Sequence, residues 1–117
     1  MSEELIYHCC PGVAWRGCQE TGAYTGSPDD ARDGFIHFSA LAQVRTSTAN
    51  HRAGQAGLIL LVVAADKLGP ALKWEPSRGG QLFPHLYGPL PLDAVVQVID
   101  LPLGADGEHQ FPEGYPD

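Results

Sequence analysis

Length, composition and charge describe one small, acidic globular domain. The chain has 117 residues, 44% of them hydrophobic and 18% charged. A chain of this length buries about two-thirds of its unfolded surface, so it needs no disulfide or structural metal to fold. We expect a single domain over residues 1–117, with its core at about residues 5–103 and a peripheral tail at residues 104–117. The net charge of −7 argues against binding to nucleic acid or to an anionic membrane.

The targeting and cysteine patterns indicate a soluble protein of a reducing compartment. Residues 1–5 hold two Glu and no basic residue, unlike a secretory signal or an Arg-rich transit peptide. The longest apolar run, residues 58–65, is far too short to span a bilayer as a helix. The three cysteines are odd in number and two are adjacent, which makes a poor disulfide framework. We therefore expect a cytoplasmic location.

The first third of the chain predicts a strand, a short helix and a loop. Residues 5–9 (LIYHC) have the pattern of a strand that ends before Pro11. Residues 13–20 can form a short helix that stops at Gly22. Residues 24–32 are rich in Gly, Ser, Pro and Asp, so we expect a loop there.

A second strand, residues 34–38 (GFIHF), should carry different chemistry on its two faces. Successive side chains of a strand alternate, so Phe35 and His37 share one face. Ile36 and Phe38 share the other face. One side of this strand therefore presents a histidine.

The middle of the chain predicts a helix followed by a central strand. Ser39 is a suitable N-cap for a helix that runs to about His51, with Gly54 as its stop. The near-continuous apolar run at residues 58–64 (LILLVVA) is typical of a strand covered on both faces. We interpret it as the central strand of the domain.

The last third predicts a hairpin, a loop and a final strand. Residues 72–75 and 81–83 flank a turn rich in Gly. The proline-rich segment at residues 84–93 is expected to be loop, and residues 94–101 (AVVQVIDL) form the last strand. In total we expect five or six short strands with one or two helices, an α+β domain.

Histidines are the most chemically suggestive side chains, because a neutral imidazole donates, accepts, binds metals and exchanges protons near pH 7. His8 and His37 lie near the ends of short strands, where a structural histidine bonded to backbone is the alternative. Spacings typical of metal sites, such as C-x-x-C and H-E-x-x-H, do not occur, so we expect no metal. Nothing local distinguishes Cys10 as a nucleophile from Cys10 as a small buried hydrophobe. The five histidines are His8, His37, His51, His85 and His109.

Among the acids, Glu75 is the candidate for a functional carboxylate. It follows Trp74 in a strand-like segment and precedes a proline, so an aromatic wall can fix its side chain. Burial there would raise its pKa or require a partner. We interpret the other acids of interest as solvated surface: Asp29, Asp30, Asp33 and Asp66.

Four segments together resemble one family: YHCC, DGFIHFS, KWEPSRGGQLFPHLYGPLPLDAVV and the tail motif DG-x-HQFPEG. Over residues 6–113 the chain is similar to the small bacterial family catalogued as domain of unknown function 952. That family has no established activity to carry over.

The order of elements also resembles the ADP-ribosyltransferase superfamily, most closely the catalytic half of the tRNA 2′-phosphotransferases. Its pattern is a strand ending in histidine, a short helix, a loop, an apolar strand ending in His-x-Ser, a helix and a long apolar strand. His8 matches the first histidine, and His37, Phe38 and Ser39 match the His-Leu-Ser segment. The resemblance implies a small split β-sandwich whose cleft between two sheets holds NAD or an ADP-ribosyl group.

The resemblance also implies roles for the matching residues. Breaking the nicotinamide glycosidic bond passes through an oxocarbenium-like state, which a nearby carboxylate stabilises. His8 would bind ribose and Ser39 would support the site, with His37 as a further ligand contact. Glu75 would orient the ribose and stabilise the cation.

Loop aromatics and arginines supply further candidate ligand contacts. Tyr24 or Tyr87 can stack on nicotinamide or adenine, although each is alternatively a partly buried loop aromatic. His85 and Tyr87 can close the cleft. A pyrophosphate needs a local cation in an acidic protein, and the candidates are Arg16, Arg52 and Arg78.

Two departures from the superfamily pattern bear on the reaction. Cys9 and Cys10 replace the Gly-Thr that follows the first histidine, so contacts that need a small residue there are in question. No basic lobe precedes the first strand in this sequence, so we do not expect RNA phosphotransfer.

Three hypotheses for the function stay open at this point. The first is an ADP-ribosyltransferase-like enzyme that acts on NAD or on an ADP-ribosyl or nucleotide small substrate. The second is a non-catalytic domain that binds a nucleotide or another small metabolite. The third is an unrelated hydrolase or isomerase that uses His8, His37 and His85. In each case the expected partner is a small anionic ligand, and a Glu75 side chain in the same cleft as Ser39 would favour the first.

Overall fold

The computed structural model describes residues 4–26 and 28–115, without the side chains of Pro28, Asp29 and Arg78. Within these residues the fold is α+β, as expected, with eight strands and three α-helices. The strands are β1 (Leu5–Pro11), β2 (Ala23–Tyr24), β3 (Ile36–His37), β4 (Leu58–Ala64), β5 (Leu72–Pro76), β6 (Leu82–Leu86), β7 (Leu90–Pro91) and β8 (Val95–Leu101). The helices are α1 (Gly12–Gly17), α2 (Pro28–Asp33) and α3 (Val44–Arg52). Over the described ranges, no helix has the length and apolar character that crossing a bilayer requires.

The strands form three antiparallel sheets. β4 lies between β1 and β8, β6 lies between β3 and β5, and β2 pairs with β7. Every residue of β4 is buried, so the predicted central strand at Leu58–Ala64 is confirmed. The predicted hairpin also forms, as β5 and β6 joined by a turn at residues 77–81.

β4 contributes to two hydrophobic cores. Leu61 belongs to a core that contains Ile36 of β3. Leu60 belongs to the other, together with Tyr7 of β1 and Val44 of α3. Side chains of a strand alternate between its faces, so the two cores attach β3 and α3 to the same sheet. This attachment places both elements beside β1, the strand that carries His8.

A backbone bridge also joins β1 to the residues that follow β3. Tyr7 and Ser39 exchange two backbone hydrogen bonds, of 2.8 and 2.7 Å. The expectation that Ser39 caps a helix is therefore wrong, because its backbone groups are already paired with a strand. α3 begins only at Val44, after a turn in which the Gln43 side chain accepts a hydrogen bond from the Ala40 N–H at 2.9 Å.

The predicted loop at residues 24–32 is wrong in its second half, since α2 occupies Pro28–Asp33. Proline is favoured at the first helical position, where its missing N–H has no intrahelical partner. Gly34, with a φ of 87°, donates to the Asp30 carbonyl and ends the helix in a left-handed conformation. These start and stop signals outweigh the turn-like composition of the segment.

The proline-rich segment at residues 84–93 is not all loop, because it contains the end of β6 and all of β7. Pro84 is tolerated in β6 because β3 has already ended at His37, so little pairing is lost at its nitrogen. Its carbonyl still accepts a hydrogen bond from the Phe38 N–H at 3.0 Å. The β2–β7 pair and α2 account for the strands and the helix beyond the expected number.

Candidate functional site

A cavity of about 630 Å³ lies between β1, α3 and the β3–β6–β5 sheet. Its volume is within the usual range for small-molecule sites. Its wall includes His8 of β1, His37 of β3 and His85 of β6. His51 of α3 lines it as well, so the fold brings together four histidines that are far apart in the sequence.

His8 is buried and both of its ring nitrogens are hydrogen-bonded. Nδ1 lies 2.5 Å from the His37 carbonyl oxygen and Nε2 lies 2.8 Å from the Tyr24 hydroxyl. A carbonyl can only accept, so Nδ1 donates and Nε2 accepts from the tyrosine. Burial lowers the pKa of His8, against the opposing effect of the Asp30 carboxylate. His8 is therefore a neutral, fully bonded part of the cavity wall.

His37 is held between two carboxylates of α2. Its Nδ1 lies 2.5 Å from Asp30 Oδ1, and its Nε2 lies 3.0 Å from Asp33 Oδ2. The hydrogen bond to Asp30 is the main cause that raises the pKa of His37, and both acids add to it electrostatically. The two carboxylates therefore favour the cationic form of His37 in the cavity wall.

Asp30 was expected on the solvated surface, and this expectation is wrong. Asp30 is only 3% exposed, and its Oδ1 also accepts a hydrogen bond from the His37 backbone N–H at 3.1 Å. Gly26 covers it closely: a Cβ there would lie 2.7 Å from the Asp30 Cβ, and its φ is +99°. Burial of the carboxylate is tolerated because it is paired and hydrogen-bonded.

His85 is oriented by a carboxylate and an aromatic ring. Its Nδ1 lies 2.8 Å from Glu75 Oε1, and the Tyr87 hydroxyl donates to the same oxygen at 2.7 Å. Phe35 stacks on the imidazole, with ring centroids 4.1 Å apart and planes 23° apart. The hydrogen bonds from Tyr87 and then His85 lower the pKa of Glu75. Glu75 is thus an anion fixed against the histidine.

The two faces of the β3 region differ as the sequence predicted. The register of β3 and β6 sets His37 opposite His85, with ring centroids 5.7 Å apart. Phe35 contacts both rings. Ile36 and Phe38 are buried in the core. The predicted alternation along residues 34–38 is confirmed, and His37 from one face and Phe38 from the other both line the cavity.

α3 supplies the cationic part of the wall. Arg52 lines the cavity, where its Nη1 donates to Gln55 Oε1 at 3.3 Å. Ser39 is buried and lines the same cavity. Arg16 is not in this wall, and the Arg78 side chain lies outside the described residues, so its role stays a prediction.

Five of the residues predicted from the sequence line the cavity: His8, His37, Ser39, Arg52 and His85. Glu75 and Tyr87 lie one hydrogen bond behind His85. Tyr24 lies behind His8 and is only 1% exposed, so its ring has no open face for stacking on a ligand. Asp30 was not predicted as a site residue, because nothing in its sequence context signals burial, whereas the strand alternation already placed Phe35 on the face of His37.

The described residues show no cluster of metal-binding side chains, and two of the three thiols are poorly reactive. Among them, no group of three or more His, Cys, Asp or Glu side chains is arranged to hold a metal ion. Burial raises the pKa of Cys9 to about 11 and that of Cys10 to about 12. A thiol that stays protonated at neutral pH is a poor nucleophile.

Fold and site together define a small α+β domain with a histidine-lined cavity. The chain belongs to the family described as protein of unknown function (DUF952), whose model matches residues 9–98. The crystal structure of protein CC0527 from Caulobacter crescentus is similar, with 47% identity, a TM-score of 0.87, and coverage of 91% of this chain and 93% of that one. The solution NMR structure of CC0527 has a TM-score of 0.80 at 47% identity, covering 91% of each chain. No curated protein matches the chain.

Proposed function

We propose that this protein is an ADP-ribosyltransferase-like enzyme that breaks the bond between nicotinamide and ribose in NAD, or the equivalent bond of a related ADP-ribosyl or nucleotide substrate. The observation that carries the proposal is the cavity between β1 and the β3–β6–β5 sheet. It gathers His37, Ser39, His85 and Arg52 in one wall. A cleft between two small sheets is also what the superfamily resemblance implies, and that resemblance supplies the substrate class.

The charges around the cavity suit a dinucleotide with an anionic pyrophosphate and a cationic nicotinamide ring. Arg52 of α3 offers a planar donor for a phosphate group in a protein of net charge −7. Asp30 and Asp33 of α2 place negative charge in the same lining. The cation and the carboxylates thus come from separate elements that border one cavity.

The carboxylates provide the chemistry that glycosidic cleavage needs. Departure of nicotinamide leaves positive charge on the ribose, and a fixed negative charge lowers the energy of that state. We assign this role to Asp33, which is half-exposed and borders the cavity. Glu75, expected from the sequence to do this, accepts two hydrogen bonds behind His85 and in this proposal orients that histidine.

Two measurements test the proposal. Nicotinamide release from NAD, followed by liquid chromatography, should exceed the protein-free blank, and calorimetric titration should detect binding of ADP-ribose. Arg52→Ala should weaken that binding about tenfold, the effect of losing one charge-assisted hydrogen bond. Arg45→Ala is the matched control, because Arg45 is on the same helix but lies over the Phe111 ring, 5.4 Å from its centroid. Binding without nicotinamide release would contradict the catalytic role, and no binding at millimolar ligand would contradict the site.

A further inference from the structure

The geometry points to His85 as the general base that activates the acceptor of this reaction, with Glu75 and Tyr87 as its positioning residues. The inference rests on the proposed function and adds to it a residue that removes the acceptor's proton. It also separates the roles of the three strand histidines in the cavity wall.

His85 differs from the other two histidines in having a free ring nitrogen. Both ring nitrogens of His8 and both of His37 are hydrogen-bonded. His85 bonds through Nδ1 to Glu75, and no described residue bonds its Nε2. Among the described residues, every side-chain nitrogen or oxygen that is fully buried has a hydrogen-bond partner. Nε2 therefore has contact with solvent, and His85 lines the cavity.

The partners of His85 fix which nitrogen carries the proton. The Glu75 carboxylate only accepts, so Nδ1 carries a hydrogen, and in the neutral imidazole the lone pair is on Nε2. The Tyr87 hydroxyl holds the same carboxylate oxygen in place, at 2.7 Å. Phe35 stacks on the ring and restricts its rotation. A carboxylate that orients a histidine in this way is a recurring arrangement for general-base catalysis.

In the hydrolysis of NAD, His85 takes its proton from the attacking water. The bond from ribose C1′ to the nicotinamide nitrogen breaks, and its electron pair leaves with nicotinamide. A water oxygen forms the new bond to C1′ while His85 Nε2 takes the proton from that water and then releases it to solvent. The products are ADP-ribose, nicotinamide and one proton. An alcohol acceptor would lose its proton to the same nitrogen.

The first test compares nicotinamide release by the wild type, His85→Ala and Glu75→Gln. Loss of a general base should lower kcat of His85→Ala by roughly 100-fold or more, with KM nearly unchanged, and added imidazole should restore part of the rate. Glu75→Gln should lower kcat about tenfold without changing KM, as loss of an orienting group does. His109→Ala is the control, because His109 bonds the Gln55 carbonyl outside this cavity and should leave kcat unchanged.

The outcomes separate this inference from the proposed function. A wild type that releases nicotinamide together with an equally active His85→Ala overturns the role of His85 alone. A wild type that releases none overturns the proposed function and this reaction with it. If His85→Ala does not fold, as judged by circular dichroism, Glu75→Gln and Tyr87→Phe decide the matter, because both residues are at least partly exposed.

A second test does not depend on turnover. Diethylpyrocarbonate acylates the free, unprotonated nitrogen of an accessible imidazole, and peptide mass spectrometry locates the modified residue. Although His85 is only 6% exposed, it should react before His8 and the more exposed His37, because the ring nitrogens of those two residues contact a carbonyl, a tyrosine hydroxyl or carboxylates. A native His85 that resists the reagent while His8 or His37 reacts would overturn the assignment of the free nitrogen.

Discussion

At the scale of single residues, the buried side chains of His8 and Tyr24 are hydrogen-bonded to each other. Nδ1 of His8 already donates to the His37 carbonyl, so Nε2 depends on the Tyr24 hydroxyl. Tyr24 is almost completely buried. Removing its hydroxyl keeps the ring in the core and leaves a buried acceptor without a donor.

We expect Tyr24→Phe to lower the free energy of unfolding by about 1–3 kcal/mol, the cost of one unsatisfied buried polar group. Urea denaturation measures the change. Tyr87→Phe is the matched control, because Tyr87 is 42% exposed and its loss should cost no more than about 0.5 kcal/mol. Equal losses in the two variants would contradict the importance of burial.

The three cysteines should differ in reactivity. Burial raises the pKa of Cys10 to about 12 and that of Cys9 to about 11. Cys18 is partly exposed, and its thiol donates to the Trp15 carbonyl at 3.0 Å. We expect a disulfide exchange reagent at pH 8 to label Cys18 first and Cys10 last, with all three reacting in guanidinium chloride. Fast labelling of Cys10 in the folded protein would contradict this order.

At the scale of elements, α2 depends on its contacts with β3. A six-residue helix is too short to be stable alone, so tertiary contacts must hold it. His37 provides them through Asp30 and Asp33, the buried and the half-exposed acid of this helix. The charge state of one histidine therefore affects how firmly α2 is attached.

This attachment should weaken as the pH rises. The pKa of His37 is raised above its ordinary value of 6.5 in the folded protein. Its contribution to stability is therefore fully present below pH 6.5 and is lost as the pH rises through the raised value. In urea denaturation from pH 6 to pH 9, the difference in unfolding free energy between the wild type and His37→Gln should shrink. A difference that is constant or grows with pH would contradict the ion pairs.

The elements differ in how well their sequences predict them. β4 is predictable because its apolar run has one physical explanation, burial on both faces. The hairpin of β5 and β6 is predictable from its Gly-rich turn. The prediction that Ser39 caps a helix fails because its backbone pairs with Tyr7, a contact across 32 positions of the chain. The secondary-structure propensities of neighbouring residues cannot predict such long-range pairing.

At the scale of the whole molecule, the sequence predicted several of the residues in the site but not their burial, charge or hydrogen bonding. A shared cleft for His8 and His37 was expected only from the superfamily resemblance, and His8 lies in the middle of β1 rather than at its end. The burial of Asp30 was not predictable, because it requires α2 and the close approach of Gly26. Nor does a sequence show that His85 keeps a free nitrogen, since that depends on where Glu75 lies.

The central claim is that the cavity binds the ADP-ribosyl part of a dinucleotide. Titration of the ¹⁵N-labelled protein with ADP-ribose, followed by two-dimensional NMR, tests it most directly. The expected result is a set of saturable shifts at the backbone amides of Ser39, Arg52 and His85, which line the cavity, with the exposed Val96 and Val98 of β8 unchanged. An absence of shifts at millimolar ADP-ribose, or shifts confined to β8, would contradict it.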